Sequence, residues 1–228
     1  RAINFAIDNC QKIRECRLAI SDQENSACSN TQKLMSECLG DLLLELKTNP
    51  ITFSTVGKSI SVDDSTFALE LVRSLAHPDG KEIVPKAVLL ALNGRMAEAM
   101  NSLLTVDISG YSKGDKLSEG AQFSSECLDE LPKNDPLIEK YSTPLASALS
   151  EREVVLQKIC AIWNPGETLL KKPFPQSFKT EALILGGLLD PITPAAWSSK
   201  TQEILPNSIL TQRENWTHAP SLNDECAK

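Results

Sequence analysis

The fold class of this chain is decided by the stretch Ala182-Leu-Ile-Leu-Gly-Gly-Leu-Leu-Asp190-Pro-Ile-Thr-Pro194. Its first six residues form a short apolar run without polar alternation, which is typical of a strand buried on both faces of a parallel sheet. Asp190 follows just beyond this strand, at the carboxyl edge where ligand chemistry gathers in such sheets. The stretch therefore predicts an α/β fold with a candidate site at Asp190.

The residues that follow Asp190 complete one α/β unit. A helical pattern covers residues 194–205, a second short strand is predicted over 208–212, and His218 comes next. This spacing returns His218 to the edge that carries Asp190. A carboxylate there would fix the tautomer of the imidazole and stabilise its protonated form while a serine attacks a substrate. The alternatives are an ordinary Asp-Pro turn and a solvated loop histidine.

The sequence before this unit predicts helices and one small hairpin. Apolar residues recur at helical spacing in the segments 2–21, 31–47, 64–75, 85–92, 96–104, 121–131 and 144–163, whereas residues 51–62 alternate like two strands. The run Asp63-Asp64-Ser65 is predicted to supply the N-cap of the third of these helices, and Pro85 to stand at the start of the fourth. The chain is thus predicted to divide into a mostly helical region, 1–178, and an α/β unit, 179–228.

Composition excludes several classes of function. A net charge of −7 argues against a nucleic-acid surface, which needs clustered lysine and arginine. No run approaches the roughly 20 apolar residues that span a bilayer. No targeting segment is recognisable, so we expect any such segment to lie outside this chain. With two histidines and no C-x-x-C spacing, neither a metal nor another cofactor is predicted.

The seven cysteines favour disulfides and a secreted or periplasmic protein. They lie at positions 10, 16, 28, 38, 127, 160 and 226, which is three pairs and one left over. We expect Cys226 to pair with a cysteine outside this chain. The alternative is that several of them are buried thiols, and the sequence leaves the pairing open.

Several of these segments resemble the α/β-hydrolases related to tripeptidyl aminopeptidases and proline iminopeptidases. The resemblance is tightest from Leu185 through Asp190 to Trp197, and continues with Leu-Pro-Asn207, His218 and Ser-Leu-Asn-Asp-Glu-Cys226-Ala. Ser-Ser-Glu-Cys127-Leu-Asp129-Glu130 looks like the family's cysteine-plus-acid segment beside the active site. Cys10 to Cys16 and the hairpin are similar to parts of its lid, so the resemblance covers nearly the whole chain.

The resemblance implies a helical lid followed by the last strand–helix–strand unit of a hydrolase core. It implies an enzyme, a serine hydrolase of exopeptidase type that cleaves peptide or amide bonds, with Asp190 and His218 as catalytic residues. It assigns Asp129 and Glu130 to the free amino group of the substrate; a solvated helix end is the alternative. In that family the serine precedes the lid, so we expect a missing or partner segment, the N-terminal part of the same hydrolase, to carry it.

Three alternatives follow from the same sequence. Gly110-Tyr-Ser112-Lys-Gly114 has the letters of a nucleophile elbow, but lacks the buried strand before it and the packed helix after it. A second reading is a non-catalytic, disulfide-braced binding module on a hydrolase scaffold. A third is an esterase, because the triad alone does not choose the acyl substrate.

The family usually has glycine beside its histidine, where this chain has Thr217 and Ala219.

Overall fold

The computed structural model describes residues 2–10, 28, 33–55, 58–105, 118–130, 143–163 and 181–223, and every structural statement below concerns these residues. The helices are α1 Ala2–Asp8, α2 Met35–Thr48, α3 Asp64–Ala76, α4 Gly80–Leu92, α5 Met96–Leu104, α6 Glu119–Ser125, α7 Pro144–Trp163, α8 Ala195–Ile204 and α9 Pro220–Asn223. A π-helical turn, Glu126–Glu130, directly follows α6. The strands are β1 Ile51–Thr55, β2 Lys58–Val62, β3 Ala182–Gly187 and β4 Ser208–Arg213.

The helical region is built around α3. Phe67, Leu71 and Leu75 are fully buried, and their spacing of four residues places them on one face of this helix. Helices α2, α4, α5 and α7 all pack against α3. The carboxylate of Asp63 accepts the N–H of Thr66 at 2.7 Å, which confirms the predicted cap.

The predicted hairpin is confirmed and pairs antiparallel from Ile51 opposite Val62 to Thr55 opposite Lys58. The predicted start of α4 at Pro85 is wrong, because the helix begins five residues earlier, at Gly80. The carbonyl of Asp79, in the turn before the helix, accepts the N–H groups of Glu82 and Ile83 and so makes the first hydrogen bonds of the helix. Pro85 therefore lies inside the helix.

Two disulfides join described cysteines. Cys28 bonds to Cys38, and Cys127 bonds to Cys160. Cys10 is disulfide-bonded as well. The second bond ties the π-helical turn after α6 to α7. Paired cysteines of this kind are consistent with an extracellular or periplasmic protein.

The C-terminal unit is a strand–helix–strand arrangement. Strands β3 and β4 pair in parallel, from Ala182 opposite Ser208 to Gly187 opposite Arg213, with α8 between them in sequence. Leu189, just after β3, belongs to the same buried cluster as the helical core. The helix-rich chain with small sheets is compatible with an α/β fold.

The expectation that β3 is buried on both faces is wrong for this chain. Leu183 and its register partner Ile209 are 65% and 70% exposed. Two strands and one helix supply too little surface to cover both faces of a parallel sheet. The apolar sequence of β3 therefore leaves one uncovered apolar face.

Candidate functional site

Asp190 occupies a closed turn just after β3. Its carboxylate is 96% buried within the turn that carries it. Oδ1 accepts the N–H groups of Ile192 and Thr193, both at 2.8 Å, and Oδ2 accepts the hydroxyl of Thr193 at 2.6 Å. These donors are the usual partners of an aspartate that opens a turn. They satisfy the buried carboxylate and fix its orientation.

His218 reaches Asp190 because the chain after β4 is fastened to the chain after β3. The N–H of Leu188 donates to the carbonyl of Arg213 at 3.0 Å, and the N–H of Leu189 donates to that of Trp216 at 3.1 Å. These two bonds extend the parallel pairing beyond the strands. His218, two residues after Trp216, is thereby placed next to Asp190.

The Asp190 carboxylate and the His218 imidazole are in hydrogen-bond contact. Nδ1 of His218 lies 3.2 Å from Oδ1 and 3.1 Å from Oδ2 of Asp190. The His218 side chain is 29% exposed, whereas that of Asp190 is 4% exposed. The pair thus combines a buried acid with a partly accessible imidazole. Such an arrangement can hold a positive charge on the ring with little reorganisation.

The residues directly before and after His218 are constrained by burial and by backbone conformation. Trp216 and Thr217 are buried, and the guanidinium of Arg213 lies 5.3 Å from the centre of the Trp216 ring. Ala219, directly after His218, has a φ of 50°, in the left-handed region that favours glycine. The bulky residues of this loop are therefore accommodated by burial of Trp216 and by one strained alanine.

Asp129 and Glu130 lie in the π-helical turn Glu126–Glu130, and their side chains fall outside the described part of the structure. π-helical turns occur often at functional sites. The neighbouring Glu126 accepts from Arg152 at 2.9 Å and from Gln122 at 2.8 Å. The predicted role of Asp129 and Glu130 stays a prediction.

Ser112, Cys16 and Cys226 are outside the described residues. His77, one of the two histidines of the chain, directly follows α3, and its Nδ1 accepts the N–H of Asp79 at 3.3 Å within a turn. Across the described segments there is no group of three or more residues that could hold a metal ion. None of the helices described here is long and apolar enough to cross a membrane.

Two residues that shape the site, Thr193 and Gly187, are not among those predicted from the sequence. Thr193 touches both Asp190 and His218, and Gly187 lies against the backbone of Trp216. Asp-Pro is a recognisable turn signal, and Thr193 is the first hydroxyl residue after it, so Thr193 could have been found. Nothing local marks Gly187, because its neighbour is 29 residues away.

The C-terminal part of the chain matches a known protein family. Residues 147–228 match the sequence model of the TAP-like protein family. The matched region contains both strands of the parallel sheet, Asp190 and His218, and it supports an α/β-hydrolase relationship. No curated protein and no solved structure matches this chain significantly.

Proposed function

We propose that this chain contributes the acid and the histidine of a serine exopeptidase of aminopeptidase type. The observation that carries the proposal is the contact of 3.1 Å between Nδ1 of His218 and the buried carboxylate of Asp190. The match of residues 147–228 to the TAP-like family supports the hydrolase class. The proposed substrate is a peptide or amide, and the chemistry requires no cofactor.

In the proposed reaction, Nε2 of His218 takes the proton of a serine hydroxyl as the oxygen attacks the scissile carbonyl. Asp190 keeps the ring in place through Nδ1 and stabilises the imidazolium that forms. His218 then returns the proton to the leaving amine, and an acyl-enzyme is left. Water, activated by the same imidazole, releases the acid product and restores the serine.

The serine is proposed to come from a partner segment, the N-terminal part of the same hydrolase. The uncovered apolar face of β3 and β4 supports this idea, because parallel strands are normally covered on both faces. Trp197 and Ile204 of α8 are also exposed, and α8 has no buried residue. We infer that further strands and helices cover this unit and bring the serine to His218.

Asp129 and Glu130 are proposed to bind the free amino group of the substrate and so to make the enzyme prefer peptides with a free N-terminus. Two carboxylates suit an ammonium group, and the disulfide Cys127–Cys160 fixes the turn that carries them to α7. Secretion is proposed from the disulfides.

The first experiment labels the native preparation with a serine-directed fluorophosphonate and maps the labelled peptide. Label on a serine of a co-purifying segment supports the proposal, and it should be lost when His218 is replaced by alanine. Label on Ser112 would contradict the partner segment and make the chain an enzyme by itself. Absence of label although a serine-bearing partner is present would favour a non-catalytic binding module.

A second experiment separates peptidase from esterase and tests the two acids. The preparation is assayed with aminoacyl amides, with the same amides acetylated at the amine, and with simple esters. We expect faster cleavage of the free amines. Asp129→Asn and Glu130→Gln should raise KM for the free amines and leave KM for the acetylated ones unchanged. Preference for simple esters would contradict the peptidase assignment.

A further inference from the structure

We propose that Thr193 is a positioning residue whose hydroxyl holds Asp190 and His218 together and fixes which ring nitrogen carries the proton. The proposal rests on the function proposed above, because a base that acts through Nε2 needs its proton on Nδ1. Its test, however, needs no turnover. It concerns the side chain of Thr193 alone, since the backbone N–H of this residue has its own bond to Asp190.

The hydroxyl of Thr193 has two partners with different roles. It donates its one hydrogen to Oδ2 of Asp190 at 2.6 Å, and its oxygen lies 3.3 Å from Nδ1 of His218. A hydroxyl has one hydrogen and two lone pairs. Because the hydrogen is used by Asp190, Thr193 can offer His218 only a lone pair. It therefore acts as an acceptor towards the imidazole.

Nδ1 of His218 consequently faces three oxygen acceptors. Oδ1 and Oδ2 of Asp190 and Oγ1 of Thr193 all lie 3.1–3.3 Å from it. A neutral imidazole has one N–H and one bare nitrogen, and a bare nitrogen in front of three lone pairs would be repelled. The arrangement favours the Nδ1–H tautomer and leaves Nε2 as the basic nitrogen.

Thr193 also controls the orientation of the carboxylate. The backbone N–H groups of Ile192 and Thr193 hold Oδ1, whereas Thr193 Oγ1 is the described donor to Oδ2 apart from His218. Without the hydroxyl, the carboxylate could rotate about its Cβ–Cγ bond and turn Oδ2 away from the ring. Pro191 and Pro194 restrict the backbone on either side, so the hydroxyl is held in place.

The test reads the tautomer of His218 by ¹⁵N NMR of the imidazole. The chain has two histidines, so His77→Gln leaves a single ring signal to follow. Spectra of this parent, of Thr193→Val and of Thr193→Ser are compared at about pH 8.5, where an ordinary imidazole is neutral. Valine keeps the shape and removes the hydroxyl, whereas serine keeps the hydroxyl.

We expect the parent and Thr193→Ser to show the Nδ1–H tautomer. Thr193→Val should lower the ratio of Nδ1–H to Nε2–H by about five- to tenfold, the effect of losing one hydrogen bond of ordinary net strength. An unchanged ratio in Thr193→Val would overturn the proposal. So would a parent whose His218 carries its proton on Nε2, a result that does not depend on any variant.

Circular dichroism shows whether each variant folds, and Thr193→Ala replaces Thr193→Val if that variant does not. The outcomes also separate this proposal from the function. If the serine is labelled by the fluorophosphonate and the tautomer ratio is unchanged in Thr193→Val, the role of Thr193 is contradicted and the serine hydrolase assignment is supported. If the tautomer ratio changes but no serine is labelled, the role of Thr193 in the Asp190–His218 pair is supported and the serine hydrolase assignment is contradicted.

Discussion

The backbone of Gly187 lies so close to Trp216 that a β-carbon on residue 187 would be 2.1 Å from the carbonyl oxygen of Trp216. The same carbonyl accepts the N–H of Leu189, the residue before Asp190. Glycine at the end of β3 therefore lets the two halves of the site approach each other. The contact between Asp190 and His218 depends on this approach.

Gly187→Ala should destabilise the protein by about 1–3 kcal/mol, the usual cost of forcing an extra carbon into a packed site. Because the clash is with backbone, the segment that carries His218 must move away from Asp190. Urea unfolding measures the first effect, and the ring ¹⁵N signal of His218 reports the second.

Gly40→Ala is the matched control, since a β-carbon there would meet Pro144 at an ordinary 3.5 Å. Gly40 lies inside α2, so alanine should stabilise the protein by about 0.5–1 kcal/mol. If Gly187→Ala were as well tolerated as Gly40→Ala, the close approach to Trp216 would not be required.

Ala219→Gly should stabilise the loop after His218. Alanine at a φ of 50° is strained by about 1 kcal/mol, and glycine removes the strain, although part of the gain is lost to the freer unfolded chain. We expect a net increase of up to about 0.5 kcal/mol in the free energy of unfolding. Ala219→Val should act in the opposite direction, because a β-branched residue suits this backbone less well. A loss of stability in Ala219→Gly would contradict the claim that alanine is strained at this position.

Asp190→Asn should lower turnover by about 10⁴-fold in the enzyme that contains both this chain and the segment with the serine. Asparagine can still accept the N–H groups of Ile192 and Thr193, but an uncharged amide no longer stabilises the imidazolium. The measurement is kcat with an aminoacyl amide, alongside the midpoint of thermal unfolding as a check on folding. Unchanged turnover in a folded variant would remove Asp190 from the triad.

The cap of α3 should make stability depend on pH. Burial raises the pKa of Asp63, but hydrogen bonds from Thr66 and Ser65 outweigh it and lower the pKa below the ordinary value of 3.8. A depressed pKa stabilises the folded state at neutral pH, and this contribution is lost as the pH falls below 3.8 through the folded pKa. Asp63→Ala should therefore cost about 1 kcal/mol at pH 7 and less in acid.

Urea unfolding at about pH 7 and about pH 3 tests this dependence on the cap. Asp63→Asn keeps a cap oxygen without the charge, so its cost relative to the parent should be smaller than that of Asp63→Ala at pH 7 and should also shrink in acid, where Asp63 of the parent loses its charge. The difference in stability between the two variants should not change with pH, because neither carries a charge at this position. A cost of Asp63→Ala that is the same at both pH values would show that the charge of Asp63 contributes nothing.

Local chemistry accounts for the features that the sequence predicted. Asp63 caps α3 through a bond to a residue three positions away, and the alternation of residues 51–62 pairs two strands that are neighbours in sequence. The apolar run of β3 and the helix after it follow from the same short-range rules. The sequence also placed Asp190 and His218 near one edge of the sheet. Each of these inferences needs only the order of residues and the geometry of helices and strands.

Tertiary structure decided what depends on distant contacts. The exposure of Leu183 and Ile209 is set by how little of the described part of the chain covers the sheet. The need for glycine at position 187 arises from a carbonyl 29 residues away, and the hydroxyl of Thr193 gains its second partner only when His218 arrives beside it. Sequence alone thus indicated the hairpin, the cap of α3, the strand–helix–strand unit and the two candidate residues, whereas it misplaced the start of α4. The packing of β4 and its following loop against β3 decided their contact, because side chains far apart in sequence meet only where the folded backbone brings them together.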